Sequence, residues 1–177
     1  MLVVLRFIGV FNAAVWLGSA VFFTFGVAPA VFSPEMKQLF APYGDYSTGL
    51  IAQQLISRYF GVHAICGIVA LIHFFAEIFY AGRYFQKGLF ILLVAALGLG
   101  VFGGVVLQPK LKSLHQTKYN RGASEEERAQ ARRQFGWLHG VSSIGNVITL
   151  VLIVIYLWRA ANPPNATRFV STHKFRG

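Results

Sequence analysis

The sequence predicts an all-α integral membrane protein: a four-helix bundle with a short interfacial helix after the first span and an extended fourth helix. Two observations carry that fold class. Four apolar runs, at about 5–32, 59–81, 88–107 and 135–158, are each long enough for a helix to cross a bilayer, which takes about 20 residues. Charged residues make up 12% of the chain, where soluble domains carry about 25%, and the hydrophobic share is 55%. The spans form one domain, 1–160, followed by a basic tail, 161–177.

In the first span Gly9, Asn12, Trp16, Ser19, Phe23 and Gly26 recur at alternating steps of three and four, a seam suited to close helix packing. Ala28-Pro29-Ala30 resembles a signal cleavage site, but the apolar run before it exceeds 20 residues, whereas a signal core takes about 7–15. The run therefore reads as a retained helix. Ser33-Pro34-Glu35 is an N-cap, a first-turn proline and a first-turn acid, so a short helix is expected from Glu35 to Ala41. Pro42-Tyr43-Gly44-Asp45 is a turn, and helix resumes near Ser47.

The second span aligns His63, Cys66, Ala70, His73 and Glu77 on one helical face. Glu77 is the single acid within any span, so it is neutral, paired or close to the interface, and His73 lies one turn before it. The third span has no ionisable residue. Its Ala96, Gly100 and Gly104 form a small-residue series that implies close helix contact. Pro109 is expected to end it, leaving a polar connection from Gln108 to Gln134. Ser124 and Glu127 form a capping box from which helix continues through Arg132 and Arg133 into the fourth span. That span carries His139, Ser142, Ser143 and Asn146 on one side, which should face protein. No internal repeat or broken helix is evident.

The net charge is +10, but the cations sit in loops and the tail. Anionic headgroups and topogenesis account for them, and no nucleic-acid partner is expected. The first and third loops hold nine Lys or Arg residues. The termini and second loop hold seven, packed into fewer residues around a short loop, which favours both termini cytoplasmic. Cys66 is the single cysteine, so no intrachain disulfide forms.

In the fourth span His139-Gly140-Val141-Ser142-Ser143-Ile144-Gly145-Asn146 resembles the H-G-x-S-S-x-x-N motif of the transmembrane protein 205 family, small four-helix membrane proteins with a domain of unknown function. The first span agrees more loosely over Trp16–Phe23 and at Pro29, as does Pro109 after the third. The resemblance implies the four-span fold and a membrane address, without an established reaction.

Two polar groups are candidate sites. His63 and His139 lie near the starts of parallel spans, an arrangement that axial haem b ligation or a metal ion requires; each could equally hydrogen-bond a neighbouring helix. Asn12, His73 and Glu77 could form a proton or cation relay or a packing network, whereas Ser142, Ser143 and Asn146 read as a structural polar cluster at a helix interface. No orienting acid stands beside His139 and the serines, which argues against nucleophilic catalysis. The expected function is that of a non-enzymatic membrane protein, a structural or accessory subunit touching the bilayer, its anionic lipids and other membrane subunits. No cofactor or dedicated metal site is expected. The alternatives are a haem- or metal-binding redox protein and a small exporter.

Overall fold

The computed structural model describes residues 2–80 and 82–162; Asn165-Ala166-Thr167, whose pattern matches a glycosylation sequon, and the tail cations Arg168, Lys174 and Arg176 lie outside them. Nearly every described residue is helical, with no strand among them, and four helices are long and apolar enough to cross a membrane. The first combines α1 (Leu2–Val21), a π-helical turn (Phe22–Val27) and α2 (Ala28–Val31). A short α3 (Pro34–Leu39) is capped by Ser33, whose hydroxyl accepts from the Met36 N–H at 3.2 Å. Then α4 (Gly44–Tyr80) runs through the second span. The third helix combines α5 (Lys87–Phe102), a second π-turn (Gly103–Leu107) and α6 (Gln108–Tyr119). The fourth, α7 (Glu125–Ala161), starts on the expected capping box: Ser124 accepts from the Glu127 N–H, and Glu127 accepts from the Ser124 N–H.

The third helix does not stop at Pro109. A proline lacks the N–H of a helical residue, and its ring collides with the carbonyl four residues back. For Pro29 and Pro109 those carbonyls belong to Phe25 and Val105, and both lie inside the π-turns. The wide turn moves the ladder by one residue: Ala28 N–H bonds the Phe23 carbonyl, and Gln108 N–H bonds the Gly103 carbonyl. Helix therefore continues through each proline. Consecutive aromatics of α4 press on the two turns. Tyr59 stacks on Phe23 with centroids 4.5 Å apart, and Phe60 lies over Gly103 and Gly104. The glycines there lie at the close helix contact that the small-residue series implied, and what they admit is an aromatic ring.

The two halves share a ground plan that the sequence did not reveal. Each has a span, a π-turn, an X-Pro step, a Ser-capped helix and a final helix of 37 residues, although in the second half one Ser cap serves the final helix itself. Buried Ala13, Trp16 and Ala20 correspond to buried Leu93, Ala96 and Gly100, each eighty residues on. His63, Cys66, Ala70 and His73 correspond to Asn146, Thr149, Ile153 and Tyr156, each eighty-three on. In the bundle α1 packs against α4 and α7, and α5 packs against the same two, so corresponding helices sit across the diagonals. The sealed core lies between them, built on Trp16, Ala70, Phe74, Leu93, Ala96 and Ile153.

The two 37-residue helices are about 55 Å long at 1.5 Å per residue, against about 40–45 Å for a whole bilayer. The bundle therefore extends past the membrane core on the side of α3 and α6, even allowing for tilt.

Candidate functional site

Polar side chains inside a membrane bundle need partners, because hydrocarbon offers none. At mid-bundle the indole N–H of Trp16 donates to His63 Nδ1 at 2.9 Å. That bond fixes the tautomer: Nε2 carries the proton and donates to the Ala96 carbonyl, also at 2.9 Å. One imidazole thus ties α1, α4 and α5 together.

The approach of His63 to α5 depends on Gly100. A helical Cα–Cβ bond tilts towards the N-terminus, so a side chain at i+4 covers the carbonyl at i. Gly100 leaves the Ala96 carbonyl open, and a Cβ there would collide with the His63 ring. A histidine seated over a glycine recurs twice, with the glycine four residues after the bonded carbonyl in one case and three in the other. His73 sits over Gly9 and donates through Nε2 to the Leu5 carbonyl at 2.8 Å. His115 sits over Gly49 and donates to the Tyr46 carbonyl at 3.2 Å. The sequence reading missed His115, which is buried in what was expected to be a polar connection. Its one available signal was a histidine one helical turn before Tyr119, on a face repeated by Leu111 and Lys118.

Of the expected clusters, some form and others rearrange. Asn12 does not join His73 and Glu77; its amide donates to the Cys66 carbonyl at 3.0 Å. Glu77 is paired, chiefly with Arg83, whose Nη1 lies 3.0 Å from the carboxylate, while His73 Nε2 is 3.9 Å away and bonded elsewhere. Asn146 faces protein as expected. Tyr59 donates to its Oδ1 at 3.2 Å, and its Nδ2 donates to Thr24 Oγ1 at 2.8 Å. Ser143 is exposed and donates to the His139 carbonyl of its own helix at 2.9 Å. His139 is exposed and stacks on Phe135. His63 and His139 are therefore held by different partners, and ligation of a haem or metal at His63 would break one of its two hydrogen bonds. Among the described residues no three His, Cys, Asp or Glu side chains gather in a cluster able to hold a metal ion.

Above the Trp16–His63–Ala96 layer the helices part around a cavity of about 780 Å³. Its deep end is formed by His63, Leu99, Gly100 and Thr149, and its outer end by Asp45, His115, Lys118 and Tyr119. The wall is mainly apolar and aromatic. Both π-turns border it, through Phe23 and Val27 in the first half and Gly103 and Leu107 in the second. Phe32, Phe102, Val141 and Val147 belong both to this wall and to the exposed apolar surface of the bundle, so the cavity reaches the lipid-facing side. His139, Ser142, Ser143 and Asn146 line it together with His63, whereas Asn12, His73 and Glu77 lie outside it.

Four membrane-length helices around a chamber with one sealed end define a multi-pass helical-bundle membrane protein. Residues 11–120 match a family described as Domain of unknown function (DUF4149). That match covers more than half of the chain, and the chain belongs to this family. Comparison with curated proteins and with solved structures found no match.

Proposed function

We propose that the protein is a non-enzymatic membrane protein that holds the apolar part of an amphipathic molecule in the cavity between its two halves. The cavity itself carries this reading. Its volume of about 780 Å³ falls within the roughly 300–1,000 Å³ of small-molecule sites. Its apolar wall reaches the lipid-facing surface, which gives an amphipath access from the bilayer. The polar groups at its deep end bond one another, so they favour an apolar occupant there.

Gly145 supplies the test. It lines the cavity, and a Cβ on it meets nothing within 4 Å, so a larger side chain fits without collision. Protein purified in mild detergent is extracted and the extract analysed by mass spectrometry. The wild type should retain amphipath in stoichiometric amount. Gly145→Leu should lose most of it while keeping its thermal transition. A wild-type extract no richer than that of an unrelated four-span protein, or equal retention by the variant, would overturn the reading. An absorbance spectrum of the same sample separates it from the haem alternative: a Soret band abolished by His63→Gln would favour a redox protein.

Two finer expectations belong to the same proposal. Kinship with the transmembrane protein 205 family rests on the motif at 139–146, beyond the matched segment. Cytoplasmic termini, supported by Arg83 and Lys87 in the short loop, would open the cavity on the opposite face.

A further inference from the structure

We infer that the amphipath is anionic, with a carboxylate or phosphate head held at Lys118 and its chain running down the cavity. This rests on the cavity reading above and adds the chemical class of the occupant. The deep end offers nothing to a charged head. Tyr59 donates to Asn146, Asn146 to Thr24, and Thr24 to the Ala20 carbonyl at 2.7 Å, while both nitrogens of His63 are used.

Charge appears only at the outer end. Asp45 and Lys118 are the two acidic or basic residues that line the cavity, leaving its histidines aside. Asp45 is 2.8 Å from Lys37. The Lys118 ammonium lies over the ring faces of Tyr119 and Phe135, 4.8 and 5.9 Å from their centroids. Aromatic faces hold a cation in place by their quadrupole while its N–H donors remain free for an anion. Asp45 also feels Lys118, but Lys37, Asp45 and Lys118 together leave one positive charge at the opening. Lys110 and Lys112 of the same helix add to that field, whereas Arg128 and Arg132 are both engaged by Glu125.

The length fits a long chain. Lys118 lies eighteen residues beyond Gly100, about 27 Å of helix, and the hydrocarbon of one leaflet is about 15 Å deep. A head at Lys118 thus keeps the whole of such a chain inside the cavity, its end about 12 Å short of the His63 layer.

The test measures binding to the full chain in mild detergent, with three probes of one chain length: oleoyl lysophosphatidic acid, oleate and neutral monooleoylglycerol. A charge-assisted hydrogen bond contributes about 1.5–3 kcal/mol, so the anions should bind about tenfold or more tightly than the neutral probe. Lys118→Gln should remove most of that preference and leave the neutral probe's affinity unchanged. Lys112→Gln, exposed on the same helix, should change little. Equal affinity for all three probes, or equal losses in the two variants, overturns the inference and leaves the cavity reading standing. Failure of every probe to bind overturns both. Thermal melting confirms that each variant is folded.

Discussion

Replacing Gly100 by alanine adds one methyl group at the point where His63 crosses α5. The new Cβ would overlap the imidazole, so the ring must leave the Ala96 carbonyl and carry Nδ1 away from Trp16. Each interhelical hydrogen bond within a membrane contributes about 0.6 kcal/mol on average and at most about 1.7, so two cost about 1–3. Overpacking the sealed core adds about 1–3 kcal/mol, and the better helix propensity of alanine returns about 1. The net loss is about 1–5 kcal/mol, or about 2–20 °C in melting temperature for a chain of this size. Gly98, two residues away, faces open space, so Gly98→Ala should leave the melt unchanged or raise it by a few degrees, about 1 kcal/mol. Cys66 provides the probe. It is the chain's single cysteine and is 4% exposed, so a fluorogenic maleimide reacts as the bundle opens. A Gly100→Ala protein that melts with the wild type, or a Gly98→Ala protein that falls as far, would refute the seat geometry.

Two further perturbations probe other parts of the bundle. Glu77 and Arg83 have side chains only 13% and 16% exposed, so Glu77→Gln or Arg83→Gln alone should destabilise by up to about 3 kcal/mol. The double variant should recover at least about 1 kcal/mol of the summed loss, and additive losses in the maleimide melt would show that the pair is uncoupled. Asn146→Ala should cost about 1–2 kcal/mol by cutting the links to Tyr59 and Thr24. Ser143→Ala, which loses only a bond within α7, should stay within about 0.5 kcal/mol. Equal melts for those two variants would contradict the difference drawn between them.

The spans were legible because apolar length and a lack of charge are local properties. So were the two serine caps, where donor and acceptor lie three residues apart. Passage through Pro109 was not legible, because it depends on a π-turn packed against Phe60, more than forty residues earlier in the chain. Gly100 was correctly expected at a close contact, but spacing alone cannot tell whether backbone or imidazole fills the gap. Trp16 sat in the expected seam without being identified as the donor to His63, since the rotation of α1 against α4 is set by tertiary packing. Glu77 was expected to be paired, protonated or near the interface, and its main partner proved to be Arg83 of the loop rather than His73. The shared plan of the halves escaped detection because the matched positions preserve burial and not residue type, as Trp16 against Ala96 and Cys66 against Thr149 illustrate.

That mismatch has a consequence for whatever occupies the chamber. A vessel whose opposite walls are near copies offers an unsymmetrical guest two poses, turned half a revolution apart, with similar steric fit. The imidazole of His63 stands on one wall, where the corresponding wall carries the amide of Asn146. That difference breaks the tie, so exchanging the two residues between walls should turn the guest around before it loosens its grip.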